Sequence, residues 1–348
     1  MFYIHQTSCI SPQQTFSNID IEKVNEFTDN KMYVSEPAYD GIPAGILRRM
    51  GKAVRIGVGA ALPLIKNAQK IDGIVIGTAN GGLEDCIKFL NQIIQYEEGT
   101  LTPTNFVQST ANAIASQISL LSANKGYNVT HVHRGLAFEN ALIDVDMLLK
   151  EKPQNAYLLG GVDEISVYNY NIQFLSGQYK KELISNKDLY QTNSEGSIAG
   201  EGAAMFLAGG QKEGAIAKLD GIKILHAKDE KFIQQELKSF LKEYLKEGEE
   251  IDLFLSGENG DARLNAFYSS CESLLKEKTK VARYKHMTGE HQSASAISLW
   301  IACNILQTHR LPSHMVKIEN EKKEFNKILL YNTYGNMQHS FMLLSNTK

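Results

Sequence analysis

Ile71-Asp72-Gly73-Ile74-Val75-Ile76-Gly77-Thr78-Ala79-Asn80-Gly81 and Ile251-Asp252-Leu253-Phe254-Leu255-Ser256-Gly257-Glu258-Asn259-Gly260 follow one pattern. Each is a short apolar run that opens on Ile-Asp and breaks at a turn rich in Gly and Asn, the mark of a buried strand. The two copies stand about 180 residues apart, half the chain, and self-similarity at that spacing points to an internal duplication. A second pair supports it: strand then helix over Asn128 to Lys150, and strand then helix over Val281 to Leu306. The reading is an α/β protein of two similar halves, 1–210 and 211–348, forming one body with a cleft between them.

Outward from the first copy, a helix is expected from Leu83 to Gln95 and another from Ala111 to Leu121. Tyr127 to His133 reads as a strand, Leu136 to Lys150 as a helix with apolar residues at helical spacing, and Ala156 to Gly160 as a strand. Tyr168 to Gly196 is polar and irregular, an excursion between the halves that suits a lid or a partner contact. Lys228 to Glu250 reads as a charged, solvated helix.

The net charge of −3 argues against a nucleic-acid-binding protein. Cys9, Cys86, Cys271 and Cys303 are scattered and form no C-x-x-C pair, which suits a reducing compartment. No basic, apolar leader opens the sequence and no run approaches ~18 apolar residues, so neither a signal peptide nor a membrane span is expected, and the cytoplasm is the default location.

Tyr284-Lys285-His286-Met287-Thr288-Gly289-Glu290 then sharpens the reading. It resembles the Lys-Ser-Met-Thr-Gly-His run of the thiolase-fold β-ketoacyl synthases, with glutamate in place of the histidine. Further matches fall in order between about Gly73 and Ser340. Gly81-Gly82-Leu83-Glu84 is similar to the family's Gly-Gly-Leu-Glu. The stretch Thr102 to Asn112, with Phe106, resembles its substrate loop. Gly126-Tyr127-Asn128 resembles the opening of its nucleophile strand. Gly200-Glu201-Gly202-Ala203 matches its Gly-Glu-Gly-Ala, and Asn332-Thr333-Tyr334-Gly335-Asn336 stands for its Asn-Ser-Phe-Gly-Phe. The resemblance implies a duplicated α-β-α-β-α stack with a five-stranded mixed sheet in each half, and dimerisation through the strand near Tyr127 to His133. It also implies a role in fatty acid or polyketide (aryl-polyene-like) biosynthesis, with acyl carrier protein as partner and no cofactor.

Family members use a Cys-His-His set. Carried over residue by residue, the cysteine falls at Gly135, the first histidine at Gly257, where the loop to Asp261 is short, and the second at Glu290. Asn336 replaces the gating phenylalanine. The resemblance therefore implies a member of the chain-length-factor type, paired with an active ketosynthase or with itself. The alternative is a divergent acyltransferase or condensing enzyme using His131, His133 or Glu290. His131 and His133 share a strand face and could bind zinc, but a third ligand at a fixed spacing is not visible, so no metal is expected. Lys285, His291, Asn336 and Phe106 complete the residues expected around the cleft. Gly81-Gly82 and Gly200-Glu201-Gly202 lack the Gly-x-x-x-x-Gly-Lys spacing of a phosphate loop and read as close backbone packing. Cys271 and Cys303 lie in helical stretches and read as small core residues.

Overall fold

The computed structural model describes residues 1–347. The first half contributes strands β1 (Phe2–Ile10), β2 (Gly73–Gly77), β3 (Tyr127–His131), β4 (Ala156–Asp163) and β5 (Gly202–Gly209). The second contributes β6 (Ala217–His226), β7 (Leu253–Ser256), β8 (Lys280–Arg283), the short β9 (Val316–Ile318), β10 (Lys327–Tyr334) and β11 (Gln338–Ser345). In space they run β9-β8-β7-β10-β11-β6-β1-β5-β4-β2-β3.

That order contains the duplication. β3-β2-β4-β5-β1 and β8-β7-β10-β11-β6 are one order written twice, and the directions agree. β2 is parallel to β3 and β4, as β7 is to β8 and β10. The next two strands are antiparallel in both halves. The two Ile-Asp copies of the sequence supply β2 and β7, which are equivalent strands. The expected five-stranded sheets are present, with two additions: β9 extends the second, and an antiparallel junction joins the two at Phe2–Leu219, Tyr3–Lys218 and Ile4–Ala217.

Side-chain alternation along each strand builds the layers. In β2, Ile74 and Ile76 face α1 (Lys52–Asn67) and α4 (Ala113–Ser122), while Val75 faces the centre. In β7, Leu253 and Leu255 face the centre and Phe254 faces α7 (Glu230–Tyr244) and α8 (Asn265–Glu272). The central layer is α5 (Ala137–Glu151) and α9 (Ala294–Thr308), which touch strands of both halves. Helix α9 is apolar nearly all round, as a helix between two sheets must be. Three further helices, α2 (Leu83–Gln95), α3 (Pro103–Gln108) and α6 (Val167–Leu175), lie toward the outside of the first half.

Two expectations need correction. The excursion from Tyr168 begins inside α6, whose start is capped by Ser166 accepting from the Asn169 N–H; only the stretch beyond it is irregular. The helix expected over Lys228 to Glu250 is shorter, and it is not merely solvated. Ile233, Leu237 and Phe240, at i, i+4 and i+7, bury one face against the sheet. Cys9, Cys271 and Cys303 are buried free thiols, and burial pushes those of Cys9 and Cys271 up to about 12, which keeps them protonated and inert.

Candidate functional site

Strand β3 ends at His131, and the chain turns through Val132, His133 and a single 3-10 turn at Arg134–Leu136 into α5. Gly135 sits in that turn, buried, and donates its N–H to Oε1 of Gln338 at 3.0 Å. Any Cβ at this position would overlap the side chain of Tyr334, at the end of β10. Tyr334 is held from both sides: its hydroxyl accepts from Gln292 and donates to Gln173 of α6, each at 3.1 Å. Burial raises its phenol pKa, so it stands as a neutral plug against the turn.

Glu290 follows Gly289, whose φ of +65° lets the chain lie against Ala199 and Gly200. The Glu290 N–H donates to the Ile198 carbonyl and the Gly200 N–H to the Glu290 carbonyl, so the Gly-Glu-Gly-Ala segment does lie where the halves meet. The Glu290 carboxylate is fully engaged. One oxygen is 2.8 Å from Nζ of Lys285, which is wholly buried; the other accepts from Asn259 at 2.7 Å. Lys285 was expected to line the cleft, and instead lies behind Glu290. Gly257, at the end of β7, is packed against Tyr331 and Asn332, so a side chain there would meet Asn332 and backbone.

The other expected residues divide. His131 pairs with Asp144 of α5 at 2.8 Å and is not on a cavity wall. His133 lies against His226, ring centroids 5.2 Å apart, and accepts from Asn140. Those partners leave the two histidines apart as a ligand pair, and among the described residues no cluster of three or more His, Cys, Asp or Glu could hold a metal. His291 is buried; burial, then Lys285, pushes it down to about 3, and its Nε2 has no hydrogen-bond partner. Phe106 was expected at the cleft. It lies on α3, largely exposed, packed on Phe89, and lines neither cavity. Asn336, at the tip of the β10–β11 hairpin, does line the cleft.

That cleft has two parts. A cavity of about 210 Å³ reaches Glu290 and Asn259; one of about 920 Å³ holds His133, Arg134, Tyr334 and Gln338 on its wall. Ser176, Gln178, Gly335 and Asn336 border both.

Three residues that sequence reading did not single out organise the region. Tyr334 belongs to a quoted motif, but its contact with Gly135 becomes visible only in the fold. Asp163, at the end of β4, is fully buried and accepts from the Thr78 hydroxyl and from the N–H groups of Ala79, Asn80 and Ser293, tying the turn after β2 to the start of α9. Glu201 accepts from the N–H groups of Val34 and Ile165 and pairs with Lys52, so it ties three segments of the first half together.

Residues 23–174 match the family model "Beta-ketoacyl synthase, N-terminal domain". No curated protein matches the sequence. Among solved structures, a β-ketoacyl synthase from Burkholderia phymatum STM815 superposes with a TM-score of 0.79 at 13% identity, over 100% of this chain and 99% of that one. The ketosynthase ApeO in complex with its chain length factor ApeC, from Xenorhabdus doucetiae, gives 0.78 at 14%, over 99% and 98%. The ishigamide ketosynthase/chain length factor gives 0.76 at 13%, over 99% and 98%. At such identities the likeness is one of fold, and that fold is the thiolase-like one of the ketosynthases.

Proposed function

Proceeding from a chain with a β-ketoacyl synthase N-terminal domain and a ketosynthase fold over its whole length, we propose that it is a ketosynthase-like subunit without condensing chemistry of its own. In this reading it is of the chain-length-factor type. It pairs with an active ketosynthase that elongates chains carried on acyl carrier protein, in fatty acid or polyketide biosynthesis in the cytoplasm. One observation carries the reading: the turn that would present the nucleophile holds Gly135, and Tyr334 fills the space a side chain would need. Acyl transfer by a condensing enzyme needs a thiolate to attack the thioester and donors to hold the oxyanion. Gly257 and Glu290 stand where the resemblance places those donors, and the Glu290 carboxylate is already bound by Lys285 and Asn259.

Pairing is supported by the first sheet's edge. β3 is the terminal strand, bonded only to β2, so its outer N–H and C=O groups are open to a partner strand. Tyr127 at its start, Val132 just past its end and Leu120 on the adjoining α4 are 40%, 55% and 75% exposed, large apolar groups on or beside this edge that a partner would cover. Three of the solved structures similar to this chain are of a ketosynthase with a chain length factor or with an acyl carrier protein.

Co-expression with an active ketosynthase from the same organism, followed by size-exclusion chromatography with light scattering, tests the pairing. The expected result is a 1:1 complex containing this 38.8 kDa chain. Elution of the two proteins apart, with this chain as a monomer or as a homodimer, would contradict it.

A further inference from the structure

Residues 16–24 form a loop on the face of the second half, away from the cleft. Ile21 is its buried residue and packs on the central core. The other hydrogen bonds of the stretch run to Gln14 or stay within it. Its one hydrogen bond to a distant part of the chain, among the described residues, is to a histidine. Nε2 of His314, in the single turn Ser313–Met315 before β9, lies 2.8 Å from the Ile21 carbonyl.

That bond ends a chain whose direction is fixed. A carbonyl only accepts, so Nε2 of His314 carries a proton, and Nδ1 of the neutral ring is an acceptor. It accepts from Nε2 of His286 at 2.8 Å. Nδ1 of His286 then accepts from the Tyr190 hydroxyl at 3.3 Å. His286 is buried, while His314 is half-buried and borders a cavity of about 610 Å³. The loop forms one wall of that cavity with Glu22, Lys23 and Val24; Lys187, Tyr190 and the two histidines form the other. The nearby charges are already matched. Arg283 of β8, 3.8 Å over the Tyr190 ring, pairs with Glu258, Lys187 with Glu26 and Lys23 with Asp20. Glu22 is exposed, and neither imidazole has a carboxylate partner.

We propose that the His286–His314 pair is a proton-operated clasp, which fastens the loop 16–24 over this cavity at neutral pH and releases it in mildly acidic solution. The pair as arranged has no good place for another proton. On Nδ1 of His314 it would oppose the His286 N–H across 2.8 Å, and on Nδ1 of His286 it would charge a buried ring near Arg283. A charged His314 is better hydrated turned into the open cavity, and turning gives up the Ile21 carbonyl. Burial, then His314 and Arg283, push His286 down to about 3 in the closed form. In the open form it charges near the ordinary value of 6.5, so the closed form holds its advantage above about 6.5 and loses it as pH falls toward about 3. The clasp belongs to the isolated chain and does not depend on pairing with a ketosynthase.

Hydrogen–deuterium exchange of the full chain at pH 7.5 and pH 5.5, corrected for the intrinsic exchange rate, tests this on peptides covering residues 16–24. One ring of ordinary pKa near 6.5 that charges only when the loop is open raises the opening equilibrium about tenfold at pH 5.5, so protection should fall by about that factor. The double variant His286→Gln/His314→Gln, which cannot be charged, should show the same protection at both pH values. An NMR titration of the parent's histidines is the second readout and needs no variant: charging of the pair and loss of loop protection should share one midpoint. Parent protection unchanged at pH 5.5, an equal fall in the double variant, or histidines that charge while the loop stays protected would each overturn the proposal.

Discussion

Gly135→Cys in the isolated chain is expected to give no condensed product from acyl and malonyl carrier-protein thioesters, by mass-spectrometric assay of the reaction mixture. The first obstacle is steric. A Cβ at residue 135 overlaps Tyr334, which is pinned by Gln292 and Gln173. The substitution should also lower stability by about 1–3 kcal/mol through overpacking. The second obstacle is chemical and remains after the space is made. Removing one preorganised donor of a condensing site lowers the rate on the order of 10²–10³. Gly257 has no side chain, and the Glu290 carboxylate would repel the negative charge that must develop at the thioester oxygen. The double variant Gly135→Cys/Tyr334→Ala, in which the thiol has room, should therefore still form no product. Condensed product from either variant would mean that His131, His133 or His291 builds a working site.

Glu290→Ala should destabilise the fold by about 3–5 kcal/mol, read as a shift of the urea midpoint. The magnitude follows from burial. Lys285 has no exposed side-chain surface, and among the described residues its ion pair is with Glu290, so the truncation strands a cation in the interior. Asn259 loses the acceptor of its amide at the same time. Replacing both members of the pair with apolar groups, Lys285→Met with Glu290→Leu, should recover most of that loss, because the desolvation of two charges disappears with them. A Glu290→Ala midpoint within about 1 kcal/mol of the parent would show that water reaches Lys285, and the tie between Glu290 and the junction of the halves would then be looser than described.

The duplication was legible because it is written locally. An apolar run of five or so residues bounded by glycine needs no partner to be read as a buried strand, and two of them half a chain apart suffice for two halves. Helix α2 is found at the expected residues, and α4, β3 and α5 within two residues at each end, apolar spacing being a local property. β1 was not legible: the middle of the strand reads His5-Gln6-Thr7-Ser8, and it is strand because β5 and β6 flank it from either side. Helix α7 shows how composition can mask spacing, since eight of its fifteen residues are Lys, Glu or Gln while Ile233, Leu237 and Phe240 still bury one face.

The site was legible only as positions. The motif Asn332 to Asn336 and the turn at Gly135 could each be located, but not that Tyr334 closes the space beside Gly135, since 199 residues separate the two. Likewise Lys285 and Glu290 could be placed in one motif, whereas their ion pair depends on the burial that Ala199 and Gly200 impose. Phe106 was misplaced for the converse reason. The loop motif locates it in sequence, and the fold turns its helix outward, where it packs on Phe89.

Intact-mass spectrometry of the isolated, reduced chain after incubation with acyl and malonyl carrier-protein thioesters tests the central claim most directly. With no thiol at residue 135 and three of the four cysteines, Cys9, Cys271 and Cys303, held protonated by burial, the mass should stay that of the unmodified chain. An acyl adduct on any cysteine would contradict a subunit without chemistry of its own.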